Sequence, residues 1–549
     1  MKVLKTVEEI TRAYQGSGLR EVLIQGVNLA GYSFASRPLV RVRFEGVNLR
    51  GASFVEAQLL EVVFQGVDLR EADFSRCLLN SVSMAGEGTR RVDASGARFT
   101  EVDLSGARLA GAGLVGAHLE RALLTDADLT KSELTGAFLA GADLSGAQLT
   151  EVQAEGADFR GAVLHGAILE RGLFSKACFA EALLTACNVK GANLEGADLE
   201  GAHLRQTALA TAAVLPTRLA GARLARLKLT RVSWAGAQLA GADLRGADLR
   251  EAVLERADLS KCLLDEADLG GARLDGADLT GASARKARFE KASLQQARLK
   301  DVEAGGANFQ GATLTRAVLE GCRLEGADLR QARLEGVKLA KLALPKANLH
   351  GLDLRGAVLS GSDLAGAVLS GARLEGAHLE EALLSGAALD GAQLGGASLS
   401  GALLEGANLR GAGLEKANLE GAQLAGAVLA GARLVDAKLV GADMDGADLE
   451  GTQLQGADLT QCSMVGVRAV KQDFSRCELT DVDLSKADLT GANLAAVSGK
   501  QANFSGANLT EARLREARLR SADFSKAQLE RADLSQADLW QAHFRQALA

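Results

Sequence analysis

The chain has 549 residues, yet only 4% of them are aromatic and it holds 63 Gly against 3 Pro. Apolar residues make up 47%, mostly Ala and Leu, which excludes global disorder and predicts a core of small, similar side chains. The formal net charge of −7 excludes nucleic-acid binding through overall basicity, and no direct nucleic-acid contact is expected.

Residues 1–21 read as an N-terminal cap. Thr6-Val7-Glu8-Glu9 has the form of a capping box, and Val7, Ile10 and Tyr14 follow at helical spacing before Gly16-Ser17-Gly18 stops the pattern. A short helix is therefore expected to cover the first coil of residues 22–549. The opening residues contain no apolar run of about 7 to 15 ahead of a small-residue cleavage site. No later stretch approaches the roughly 20 apolar residues of a membrane helix, so the expectation is a cytoplasmic protein without membrane insertion. Cys77, Cys178, Cys187, Cys262, Cys322, Cys462 and Cys477 include no CxxC pair, which fits a reducing compartment.

Residues 22–549 read as one continuous array with a period of five. A bulky apolar residue stands at nearly every number ending in 4 or 9, as at Leu104, Leu109, Leu114 and Leu119, and 104 steps of five lead from Ile24 to Phe544 without a break in phase. Two places earlier stands a small residue, Ala in about two-thirds of cases. A helix would rotate the repeated residue by about 140° per step, and a strand would flip it to the opposite face. Each pentad must therefore hold its own bend, with the small and central residues inside and the next two, often Ser-Gly or Glu-Gly, in the turn. Phe34, Phe54 and Phe74 are spaced by 20, as are Phe159 and Phe179, Phe289 and Phe309, and Phe504, Phe524 and Phe544. Like side chains stacked on successive coils would give that spacing, which implies four pentads per coil. The array would then have about 26 coils, and at about 4.8 Å per coil a rod of roughly 125 Å.

ADLSG at 142–146, GANLEGADLEGAHL at 191–204 and GADLRGADLREAVL at 241–254 resemble the pentapeptide-repeat family, and the likeness covers nearly the whole chain. The resemblance implies an all-β fold, a right-handed quadrilateral β-helix with a narrow solid core and polar residues outside. Departures from the pattern are Arg37, Glu87 and Gln472 at inward places, and large Tyr32, Leu227, Leu342 and Leu352 where small is usual. Thr89, Ala469 and Gly499 replace a bulky centre, and Pro216 and Pro345 sit at turns. Irregular wall is expected around 32–38, 84–90, 214–217, 464–472 and 496–500.

No catalytic constellation emerges, so no enzyme activity, cofactor or metal is expected. Gly111-Ala112-Gly113-Leu114-Val115-Gly116 matches GxGxxG literally but lies in phase with the pentads. His118, His165, His203, His350, His378 and His543 are outward and scattered. Six cysteines occupy the small inward place and Cys178 points outward. Asp143, Asn193, Asp243 and Asn408 precede a central Leu, where a short polar side chain hydrogen-bonds the turn backbone.

Charge is banded along the chain. Residues 101–200 carry 7 basic and 15 acidic residues, 201–300 carry 17 and 11, and 351–460 carry 6 and 15. Glu375, Glu380, Asp390, Glu405, Glu415, Glu420, Asp445 and Glu450 follow central residues and are the candidate partner-binding set, shared among all four sides. Arg226, Arg245, Arg250, Arg285, Lys286, Lys291 and Lys300 project from the basic band. The first functional expectation is a non-enzymatic scaffold or adaptor that binds proteins through its outer faces. The resemblance implies a second, a DNA-mimicking modulator of a type II topoisomerase, and a lesser third, a bacterial effector or secretion-associated accessory protein. A homodimer joined end to end through the last coil, with Phe544 at the contact, is a further expectation.

Overall fold

The computed structural model describes residues 1–86, 91–213, 215 and 217–548. Glu87, Thr89 and Pro216, all departures from the pentad pattern, lie outside the described residues. The chain divides into two units, Met1–Arg273 and Leu274–Ala549.

In the first unit the turn geometry comes directly from the pentad. The Ala107 N–H donates to Leu104 O at 3.0 Å, closing a four-residue turn whose third place, Gly106, has φ of 64°. That is a type II turn, which demands positive φ at the place Gly most often fills. The short polar residue before the centre braces it: the Ser145 N–H donates to Asp143 Oδ1 at 2.9 Å, and Glu195, Arg245 and Arg410 do the same to Asn193, Asp243 and Asn408. Between turns the backbone bonds to the neighbouring coils on both sides. Leu104 N–H donates to Leu123 O at 2.6 Å, and Leu123 N–H to Val102 O at 2.9 Å.

The opening coils are regular enough to form strands β1 (Lys2–Leu4), β2 (Leu19–Arg20), β3 (Val22–Gln25), β4 (Pro38–Val40), β5 (Arg43–Glu45), β6 (Gln58–Leu60), β7 (Val63–Gln65) and β8 (Leu78–Asn80). They make two parallel sheets, β1-β3-β5-β7 and β2-β4-β6-β8, in which partners such as Phe44 and Phe64 stand 20 residues apart. Beyond β8 the same offset continues as single parallel bridges. The fold is a right-handed quadrilateral β-helix.

Helix α1 (Val7–Tyr14) follows β1. Thr6 Oγ1 accepts from the Glu9 N–H, and the Glu9 carboxylate accepts from the Lys5 N–H at 2.9 Å. Ile10 and Tyr14 are buried, whereas Val7 faces solvent, so only two of the three spaced apolar residues dock the helix. The expected irregularity at 32–38 is the docking site itself. Arg37 Nη1 donates to Tyr14 O at 2.7 Å, its guanidinium lies over the Tyr14 ring, and Tyr32 Oη meets Thr11 Oγ1 at 3.1 Å.

The core is a set of side-chain stacks. Phe34, Phe54 and Phe74 stack at 4.9 and 4.5 Å, and Phe159 on Phe179 at 4.8 Å, each pair adding about 0.5–1.5 kcal/mol beyond its buried area. Phe74 next stacks on Phe99, 25 residues on, because the ladder slips from 20 to 25 between Asp68 and Asp93 and then returns to 20. One coil therefore takes an extra pentad while the pentad phase of the sequence is untouched.

The second unit repeats this construction, with Phe289 on Phe309 at 4.8 Å and Phe504, Phe524 and Phe544 stacked at 5.0 and 4.9 Å. Large Leu342 and Leu352 are buried, and nearby Lys338 makes no bridge to Val318. A gap of about 10 Å³ lies among the central leucines from Leu319 to Leu359. Gln472 is buried, and its amide donates to Thr452 O, the carbonyl that the ladder would otherwise give to Asp473. The wall does not bulge at 496–500: Gly499 keeps its ladder bond to Arg518 O, with Leu519 and Leu479 closing over the missing side chain. Pro345 stands at the second place of its turn, where a proline φ suits, and the ladder bond from Gly326 to Pro345 O is intact.

Candidate functional site

Among the described residues the inward places are filled almost wholly by the chain's own apolar side chains, so the groups open to a partner stand on the outer faces. The eight acidic candidates fall two to a side, those sharing a side being 40 or 60 residues apart. The fold does not bring them together into one cluster.

Six of the eight are half-buried, and their carboxylates lean on neighbouring residues. Ser360, Ser370 and Ser385 donate to Glu380, Asp390 and Glu405 at 2.6, 2.7 and 2.7 Å, one coil apart in each case. Glu415 meets Arg433 at 2.7 Å, Glu375 lies 3.9 Å from Arg373, and Asp445 accepts from Val465 N–H and Ser463 Oγ. Burial of Glu380 opposes its ionisation, but hydrogen bonds from Ser360, Ser398, the backbone and His378 win and hold its carboxyl down to about 2. Glu420 and Glu450 are the exposed members, and Glu450 still lies 3.1 Å from Arg468.

Basic candidates divide in the same way. Arg245 and Arg250 fork onto Asp243 and Asp248 at 2.8 and 2.7 Å, two residues away, and hold both carboxylates below the usual range. Lys300 lies 3.7 Å from Glu320.

Arg226 is different: like Arg245 it lines a groove of about 1450 Å³ in the first unit, but there it stands with Arg205, Arg223 and Lys228 rather than on a carboxylate. None of these four makes an ion pair among the described residues. Composition signals the groove, since residues 201–250 contain 8 Lys and Arg against 2 acids. The band-wide charge count pointed to Arg226 and Arg245 but passed over Arg205, Arg223 and Lys228.

Phe544 is 41% exposed and Trp540 63%, and the nearby inward residues Leu534 and Leu539 are half-buried rather than buried. Six thiols are buried; five of them, Cys77, Cys187, Cys262, Cys462 and Cys477, donate to a backbone carbonyl 23 residues earlier. Burial pushes all six up to about 12. Cys178 is half-buried on the outer wall. Gly113 of the GxGxxG match pairs in the ladder with Val92 and Ala94, as any outward residue does. No group of three His, Cys, Asp or Glu able to hold a metal ion occurs among the described residues. No helix among them is long and apolar enough to cross a membrane.

A parallel ladder at a 20-residue offset, closed by type II turns around two inward places per pentad, defines the class of a pentapeptide solenoid. The family description "Pentapeptide repeats" matches this chain in segments running from 39–80 to 527–548, and the chain belongs to that family. Among solved structures it is similar to HetL, a pentapeptide repeat protein involved in heterocyst differentiation regulation from the cyanobacterium Nostoc sp. strain PCC 7120. The identity is 33% over 44% of this chain and 89% of HetL, with a TM-score of 0.23. It is also similar to QnrB1, a plasmid-mediated fluoroquinolone resistance protein, at 18% identity over 34% of this chain and 92% of QnrB1, with a TM-score of 0.25. A third similar structure is the pentapeptide repeat protein AT2G44920 from the Arabidopsis thaliana thylakoid lumen, at 32% identity over 21% of this chain and 68% of that one, with a TM-score of 0.11. No curated protein sequence matches the chain.

Proposed function

We propose that this protein is a non-enzymatic scaffold or adaptor that binds other proteins through its outer faces. The observation that carries this reading is the division of labour within the pentad: small and central residues are consumed by the core, so sequence variety is confined to outward places, where charge is banded. Glu420 and Glu450, the exposed members of the acidic set, are the groups most available to a partner. The same reading includes pairing of two copies through the coil that carries Trp540 and Phe544. Sedimentation that returned only monomer over a wide concentration range would remove that part.

The test of the adaptor reading is affinity capture from a bacterial lysate with identification by mass spectrometry, comparing wild type with the Glu420→Lys/Glu450→Lys variant. A defined complex retained by wild type and lost by the variant is the expected result. Selective recovery of a type II topoisomerase would instead favour a DNA-mimicking modulator. If neither protein retained anything, the acidic band would be solubilising surface and the proposal would fall.

A further inference from the structure

The groove beside Arg226 exists because the ladder opens there. On the closed wall the residue before each centre gives its N–H to the preceding coil, as Asp128 does to Ala107 O, while the central residue and the third turn place give theirs to the following coil, as Leu104 does to Leu123 O and Gly106 to Thr125 O. Between residues 206–211 and 225–230 these bonds are missing: Gln206 N–H does not reach Ala225 O, and Lys228 N–H does not reach Thr207 O. The preceding coil instead folds on itself as a 3-10 turn, Leu209–Thr211, with Leu209 N–H bonded to Thr207 O and Thr211 N–H to Ala208 O. Coil 225–230 is thereby left with an open edge. Ala225 O, Lys228 N–H, Lys228 O and Thr230 O find no backbone partner from the preceding coil among the described residues. Its far side stays closed, as in the parallel bridge from Lys228 to Asp248.

This edge lies under positive charge. Arg223, Arg226 and Lys228 stand on the open coil, and Arg205 faces them from the preceding one. Gly246 has no side chain to displace the stem of Arg226, whose Cγ lies 3.4 Å from where a Cβ would be. His203 is bridged to Arg223, and its burial together with that neighbour's charge pushes the imidazole below its usual value. Asp243 at the margin is already engaged by Arg245, while Asp265 and Glu266 lie two coils from the open backbone edge, measured from Arg226. Among the described residues the His203 imidazole is the one aromatic ring lining the groove, which gives stacked bases no platform there.

We infer that the groove is a docking site for an acidic peptide segment of a partner protein, which adds as an extended strand to the open edge at 225–230 and presents carboxylates to Arg205, Arg223, Arg226 and Lys228. The open peptide groups supply what strand addition needs, and the guanidinium forks suit carboxylates. An exposed edge otherwise invites non-specific pairing, and the basic side chains restrict which segments enter. This site stands apart from the acidic faces, so failure of the lysate experiment leaves it intact.

The test uses the full chain and a fluorescein-labelled dodecapeptide of alternating Glu and Thr, followed by fluorescence anisotropy. Saturable binding is expected, weakened about tenfold or more by Arg223→Glu/Arg226→Glu and less than about twofold by the distant Arg410→Glu. A milder pair, Arg205→Gln/Lys228→Gln, should weaken binding in the same direction and covers the case in which the charge reversal impairs folding. Absence of binding to wild type, equal binding by the groove variants, equal binding of a Lys-Thr dodecapeptide, or tighter binding of oligo-dT of equal charge would each overturn the inference.

Discussion

Residues 205–230 and 405–430 occupy the same sides of the pentad pattern, 200 residues apart, and differ in whether the wall is closed. In the later segment Gly406 N–H donates to Ala425 O, Leu409 to Val428 O, Val428 to Ala407 O and Gly411 to Ala430 O, all at 2.8–3.0 Å. Every counterpart of these bonds is missing between 206–211 and 225–230. Inward residues are equally buried in both segments, although Thr207 and Leu227 are larger than Ala407 and Ala427. The third turn place differs as well. Gly411 and Lys416 hold φ of 64° and 58° there. Their counterparts are Thr211, β-branched and costly at positive φ, and Pro216, whose ring restricts φ to about −65°. A β-branched residue and a proline in the sequence at third turn places are thus the difference that accompanies the opened wall.

The largest expected effect comes from moving that fault into the closed wall. Lys416→Pro removes the 2.9 Å bond to Val435 O and forbids the turn, so it should cost upwards of about 3 kcal/mol in denaturant unfolding and open local amides to exchange. Ala425→Pro, one place earlier in its turn, should stay within about 0.5 kcal/mol, as the native Pro345 does without loss of its ladder bond. Equal damage from both would break the comparison.

Next in size, Leu404→Ala should destabilise by about 2–3 kcal/mol because the closed wall cannot collapse into the space, whereas Leu209→Ala beside the open wall should cost less. Equal losses would show that the opening does not relax packing.

Thiol chemistry sharpens the contrast. Cys178 should react first with an aromatic disulfide reagent. Among the buried thiols Cys187, whose N–H leans on Thr207 of the broken coil, should react about tenfold faster than Cys462 beneath closed wall. Similar rates for Cys187 and Cys462 would count against a locally weak coil.

The smallest effect is acidic. Glu380 has a folded pKa of about 2, below its ordinary value of 4.5. Its contribution to stability is thus complete above pH 4.5 and decays as pH falls toward 2. Glu380→Gln should therefore lower the melting temperature modestly at neutral pH, flatten the acid limb of the profile and converge with wild type near pH 2.

Much of this fold could be read from the chain because the core is periodic. Small and central places must recur every five residues to face inward, and large aromatics recur every 20 because they stack. The extra pentad between Asp68 and Asp93 was hidden for the same reason, since an insertion of one whole period leaves the phase unchanged. Tyr32 and Arg37 break the pattern in sequence, but only the docked helix shows that they serve it. At the groove, Arg226 was legible singly. Arg205, Arg223 and Lys228 were not, because their grouping depends on which ladder bonds are lost, and those bonds follow backbone torsions rather than composition.

The most direct test of an open edge is residue-resolved amide hydrogen exchange at Lys228 and Lys438. The Lys438 N–H is bonded to Ala417 O at 2.9 Å in closed wall, while Lys228 has lost the equivalent partner. Lys228 should therefore exchange orders of magnitude faster than Lys438 in the free protein and slow when the Glu-Thr dodecapeptide binds. Equal protection of the two amides in the free protein would contradict an open edge, and with it the groove's proposed role.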